Sequence, residues 1–164
     1  MSNTIEKDWF TAAGLRAVVL LTSMGHRCGY VGVSKDHPLF GVGYGDNTEA
    51  LAHPSPETEV GKRGVLSLLC ASERMQSPEV VFDVHGSLTY AAEDDAYPVA
   101  DSGLWWFGYD CGHSGDAPEP GSLMAKYRVS SDAVLRTLDY CVAECESLAQ
   151  QIVEKTIWPQ AARA

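Results

Sequence analysis

A chain of 164 residues that is 45% hydrophobic and 21% charged carries enough apolar material for one buried core, which excludes a disordered chain. Its 22 acidic residues against 12 basic ones leave a net charge of -10, which argues against a face for duplex nucleic acid. The longest apolar run near the start, residues 17–21, is far too short to cross a bilayer, and no basic segment followed by an apolar run marks a leader. Five cysteines, Cys28, Cys70, Cys111, Cys141 and Cys145, are an odd count without secretion features, so reduced thiols in a cytoplasm are expected.

Residues 15–22 are apolar and β-branched and predict a buried strand. Ser23-Met24-Gly25 is a turn signal, and residues 28–33 read as the second arm of an antiparallel hairpin. Residues 34–60, punctuated by Pro38, Gly41, Gly43, Gly45, Pro54 and Pro56, form a long loop and a candidate lid. The spacing of Val65, Leu66, Leu68 and Leu69 predicts a short helix over 58–74. Residues 80–84 read as a strand, His85-Gly86-Ser87 as a tight turn, and residues 88–91 as the return strand. A polar, acidic stretch over 92–102 precedes a further strand at 104–109. Ser130-Ser131-Asp132 is an N-cap cluster. It heads an amphipathic helix through Val134, Leu138, Cys141, Cys145, Leu148 and Ile152, which Trp158-Pro159 ends. Residues 157–164 read as a tail. The sum is a single α+β domain over 1–164: a mostly antiparallel sheet of about five strands packed by two main helices, the C-terminal one long and amphipathic.

The densest chemistry lies in Trp105-Trp106-Phe107-Gly108-Tyr109-Asp110-Cys111-Gly112-His113-Ser114-Gly115-Asp116, an aromatic strand that runs into a glycine-rich polar loop. Strand side chains alternate, so one of Trp105 and Trp106 faces the core and the other a helix interface or a pocket. His26, Cys28, His37, His85, Asp110, Cys111, His113 and Asp116 are all metal-ligand types, but no paired CxxC or HExxH spacing organises them. No metal and no cofactor is assigned on that basis. His85-Gly86-Ser87 is a single His-x-Ser. With His113 and Asp110 it forms an acid–base set for ester hydrolysis if the two loops meet; otherwise it is an ordinary hairpin turn. Cys111 is a poor nucleophile beside Asp110 and Asp116, whose charges discourage the thiolate. Cys141 and Cys145 lie on the apolar face of the helix.

Binding of a small molecule asks for less: an aromatic wall, a few donors and room. Trp105, Trp106 and Tyr109 offer faces that stack on a base. His26, Arg27, Lys35 and Arg63 are local basic spots that hold phosphate. His85, Asp110, His113 and Asp116 read hydroxyls or base edges. The bland reading sets alternate aromatics in the core and leaves the basic residues solvated.

Several blocks resemble a widespread group of uncharacterised phage and prophage proteins: residues 25–33 (Gly-His-Arg-Cys-Gly-Tyr-Val-Gly-Val), His37-Pro38-Leu39, residues 83–90 (Asp-Val-His-Gly-Ser-Leu-Thr-Tyr), residues 105–116 and residues 138–149. Ser87 stands where that group has glycine. The resemblance implies a viral accessory protein in the cytoplasm of a bacterial host, and transfers no catalytic residues. By analogy it suggests counter-defence: capture of a small anionic, nucleotide-derived immune signal without cleavage, in a pocket that a homo-oligomer often builds across its interface. The partner expected is a nucleotide-like small molecule, with no duplex nucleic acid and no membrane. Two alternatives stand beside it: a nucleotide or phosphoester hydrolase using His85, His113 and Asp110, and a protein–protein inhibitor of a bacterial defence enzyme.

Overall fold

The computed structural model describes residues 2–51, 75–127 and 130–159. Five antiparallel strands form the central sheet: β1 (Thr4–Phe10), β2 (Arg16–Leu21), β3 (Arg27–Val33), β4 (Tyr90–Ala92) and β5 (Trp105–Asp110), in the spatial order β1-β2-β3-β5-β4. The expected α+β fold is therefore the fold observed. In β2, Ala17 and Val19 point to one face and Val18 and Leu20 to the other, and all four are buried. Both faces of the sheet are covered, which is why β2 and β3 read as continuous apolar runs.

One face carries the long helix. Thr137 caps its start by accepting from the Tyr140 backbone N–H at 3.2 Å. The buried stripe Cys141, Cys145, Leu148, Ala149 and Ile152 then packs on Val31, Val33, Phe107 and Tyr109. The opposite face is closed by Tyr90, Tyr97, Val99 and Leu104 over Val18, Cys28, Tyr30 and Trp106. Two glycines let rings lie flat across the sheet. A Cβ at Gly29 would stand 2.5 Å from the Tyr109 ring, and one at Gly108 would stand 2.5 Å from the Tyr30 ring.

Three expectations need correction. Residues 80–84 do not form a strand: Pro78, favoured in the first turn of a helix, opens the short helix α1 (Pro78–Val81). The chain then runs on to bury Phe82 and Val84. The long helix, α2 (Leu138–Lys155), starts six residues beyond Asp132. Residues before it are held instead in a small parallel pair, β6 (Asp116–Ala117) with β7 (Val134–Leu135), and the Val134 N–H donates to Gly115 O at 3.0 Å. That backbone bond is one a helix through Val134 would need. β1 is an element the sequence did not announce; it is a polar, mostly exposed edge strand.

The helix expected over 58–74 lies wholly outside the described residues, and so does the second part of the 34–60 loop. The first part, 34–51, is anchored by fully buried Leu39 and Leu51. Beyond α2, the Ile157 N–H donates to Ala50 O at 2.7 Å, and the Trp158 ring packs edge-on against His37. Among the described residues, no helix is long and apolar enough to cross a membrane.

Candidate functional site

Three segments converge at one end of the sheet: the 84–87 turn, the 110–116 loop that leaves β5, and the first turn of α2. Antiparallel pairing sets Cys28 opposite Asp110 and Val33 opposite Trp105. The start of β3, with His26 just before it, therefore meets the end of β5.

His85 is the hub. Its Nε2 lies 2.8 Å from Asp116 Oδ2, its Nδ1 lies 2.9 Å from the Tyr140 hydroxyl, and its backbone N–H donates to Glu144 Oε2 at 2.7 Å. Asp116 also accepts from Arg136 Nε at 2.9 Å and from the His113 backbone N–H at 3.1 Å, and its side chain is only 2% exposed. Burial alone would raise the Asp116 carboxyl, but the bonds from Arg136, His85 and the His113 amide outweigh it and hold the group below the ordinary carboxylate value. An ionised Asp116 can only accept, so His85 Nε2 carries a proton. In the neutral imidazole Nδ1 is then the acceptor, and the Tyr140 O–H donates to it. The Arg136 guanidinium lies over the Tyr140 ring, 4.9 Å from its centroid.

His113 stands beside this network with its side chain 40% exposed, its ring 5.7 Å from that of His85 and its Nε2 3.7 Å from Asp110 Oδ1. Asp110 is itself oriented by the Gly112 N–H at 2.9 Å and by the Thr89 hydroxyl at 3.2 Å. The close seat of His113 depends on Gly86: a Cβ there would lie 1.9 Å from His113 Nε2, and Gly86 has φ +65°. Ser87 follows with φ +79°, the left-handed region that glycine prefers.

A cleft of about 270 Å³ opens over this loop, lined among others by His26, His113, Asp116, Met124, Tyr127 and Ser130. No protein-family model, curated protein or solved structure matches the chain.

Of the residues singled out in the sequence, His26, His85, Asp110, His113 and Asp116 come together here. The aromatic wall does not. Trp106 is fully buried with its Nε1–H on Ser102 Oγ, and Tyr109 is buried with its hydroxyl donating to Cys141 O. Trp105, half-buried, donates to Val42 O at 3.0 Å at the far end of β5. None of the three offers a face to the cleft, because the sheet is covered on both sides. Arg27 is buried too, and its charge is matched by Glu6 at 2.6 Å and Glu119 at 2.8 Å. Lys35 lies past the opposite end of β3, 3.6 Å from Glu93. Arg63 falls outside the described residues. Cys111 lines the cleft but is almost wholly buried. The proton shared with Cys141, whose Sγ is 3.7 Å away, and then burial push its thiol up, against a nucleophilic role. Among the described residues no group of three or more His, Cys, Asp or Glu has the geometry to hold a metal ion.

Sequence reasoning missed Arg136, Tyr140 and Glu144. A signal existed for two of them: Tyr140 and Glu144 are spaced four apart on α2, beside the Cys141–Cys145 stripe, whereas Arg136 precedes the helix.

Proposed function

We propose that the protein is a phage-encoded binding protein that captures a small anionic, nucleotide-derived ligand in the His113 cleft and releases it unchanged. One observation supports this above the rest: the carboxylates beside the cleft are engaged by protein donors, while the two imidazoles that line it make no hydrogen bond from their rings among the described residues. Asp110, Asp116 and Glu119 already accept from protein groups. The His26 ring and His113 Nδ1, which donate when they carry a proton, have no hydrogen-bond partner among the described residues, and neither do the terminal nitrogens of Arg136, which lines no part of the cleft but is tied to its Asp116. Such a rim favours a ligand rich in acceptors, as a phosphate is. The cleft volume of about 270 Å³ is near the lower end for small-molecule sites, roughly 300 Å³, and suits a phosphate with its sugar better than a whole dinucleotide. The exposed faces of Tyr127 and Met124 replace the buried tryptophans as apolar walls for a base. Action in a bacterial host, against a nucleotide immune signal, is part of the same proposal and rests on the resemblance to phage proteins.

Calorimetric titration with linear and cyclic nucleotides and ADP-ribose derivatives tests the reading. Binding by the native chain, weakened about tenfold or more in His113→Ala, is the expected result; a hydrogen bond to a charged phosphate is worth about 1.5–3 kcal/mol, and tenfold is about 1.4 kcal/mol. No heat with any member of the panel would sink it.

The Asp116–His85–Tyr140 chain favours a second reading, ester hydrolysis. It shares only His85 with the hydrolase set of His85, His113 and Asp110: both His85 ring nitrogens are occupied, by Asp116 and Tyr140, so His85 cannot reach a ligand except through Tyr140. Product in the titration mixture would select this reading over capture.

A further inference from the structure

We propose that the Tyr140 hydroxyl is a nucleophile activated by His85 and Asp116, and that the electrophile it is built for is a phosphoester. The inference rests on the second, hydrolytic reading and not on capture, and does not depend on which nucleotide, if any, fills the cleft.

A buried carboxylate, an imidazole and a hydroxyl stand in line here. Asp116 Oδ2 to His85 Nε2 is 2.8 Å, and His85 Nδ1 to Tyr140 Oη is 2.9 Å. This is the arrangement in which a hydroxyl loses its proton to an oriented base as it attacks. The parts that fix His85 are unusually complete. Its backbone is tied to Glu144. Asp116 is saturated by Arg136 and the His113 amide, so the carboxylate has one job left, which is to hold the imidazole and to stabilise its charged form. Burial, and then the Glu144 carboxylate, push the Tyr140 phenol above its ordinary value. No standing phenolate is present at neutral pH, and the proton must be removed as the new bond forms. A purely structural tyrosine needs a hydrogen-bond partner but not an ionised acid behind that partner.

Arg136 points to the class of electrophile. It lies across the Tyr140 ring and uses only Nε on Asp116. Its terminal nitrogens, without partners among the described residues, suit two oxygens of a phosphoryl group in a bidentate contact. In the step, the Tyr140 Oη–P bond forms and the P–O bond to the leaving alkoxide breaks. The phenolic proton passes to His85 Nδ1 and from there to water, and water protonates the leaving oxygen. The step is stoichiometric by itself; turnover needs water to displace the tyrosyl phosphoester in a second one.

An aryl sulfonyl fluoride tests the activation without knowledge of the ligand. The Oη–S bond forms, fluoride leaves and the proton goes through His85 to water. Tyr127 is the internal reference, since it is 64% exposed and its hydroxyl has no partner among the described residues. Peptide mapping of the full native chain should find Tyr140 labelled about tenfold faster than Tyr127 or more, despite its lower exposure; general-base assistance is worth about 100-fold or more. His85→Gln and Asp116→Asn should bring Tyr140 down to or below Tyr127. Incubation with bis(4-nitrophenyl) phosphate should then give up to one equivalent of nitrophenolate, with the aryl phosphate found on Tyr140. Labelling of Tyr140 no faster than Tyr127 in the native chain would overturn the proposal, and that ratio decides even where a variant does not fold. An activated Tyr140 with no release of nitrophenolate would overturn the assignment to phosphoesters. Neither result bears on nucleotide binding, which the calorimetry reads separately.

Discussion

Replacing Gly86 with alanine separates the strain of a backbone from the seat of a functional side chain. The new Cβ would lie 1.9 Å from His113 Nε2 and 2.4 Å from Cδ2, where ordinary contacts begin at 3.4 Å. The ring must retreat by about 1.5 Å, or rotate out, to restore normal van der Waals spacing. Rotation is open to it, because the side chain is 40% exposed and, among the described residues, its only ring contact with a charge is the 3.7 Å approach to Asp110. The backbone adds its own cost: φ at Gly86 is +65°, and an L residue there pays about 1–2 kcal/mol. Stability should therefore fall by about 1–2 kcal/mol, almost all of it from the backbone. The same loss should be seen when Gly86→Ala is made in a His113→Ala background. Urea denaturation of the four proteins measures the cycle, and the imidazole resonances of His113 report the displaced ring. A loss above about 3 kcal/mol that disappears in the His113→Ala background would refute the reasoning, since it would exceed the backbone term and mean that the ring is rigidly held.

Asp116→Asn removes the charged acceptor of the His85 bond and should cost about 2 kcal/mol at neutral pH. The folded-state value of this carboxyl is depressed, so its contribution is complete above the ordinary carboxylate range and is lost as pH falls through the folded value. Acid titration of stability should accordingly be shallower in the variant than in the native chain. Leu148→Ala, at a fully buried position under the sheet, should destabilise by about 2–5 kcal/mol in the same denaturation assay. Arg27→Leu leaves Glu6 and Glu119 facing each other across the β1 edge without their cation. It should cost about 2–3 kcal/mol, part of which Glu6→Gln should restore.

The strands β2, β3 and β5 were legible because their apolar residues are continuous and bounded by glycine turns. β1 was hidden, since Thr-Ile-Glu-Lys-Asp-Trp-Phe at a sheet edge shows no buried face. The start of α2 was misplaced because Ser130-Ser131-Asp132 and Thr137 are equally good caps locally. The choice between them is made by the backbone pairing of Val134 and Leu135 with residues 116–117, a non-local contact. The polar members of the site, His85, Asp110, His113 and Asp116, stood out by residue type and loop context. Their mutual order did not, because it depends on Arg136, just before α2, and Tyr140, in its first turn, twenty or more residues further along the chain. The aromatic residues were read toward the ligand for a related reason. Alternation tells which way Trp106 points, but not that Tyr90, Tyr97 and Val99 cover that face.

Capture at the His113 cleft is tested most directly by incubating the protein at equal concentration with a panel of linear and cyclic nucleotides and ADP-ribose derivatives, then denaturing it by heat and separating what is released. The account predicts that one class of nucleotide is depleted from solution, returns chemically intact after heating, and is not depleted by His113→Ala. Depletion of none, or depletion unaffected by the loss of His113, would contradict it.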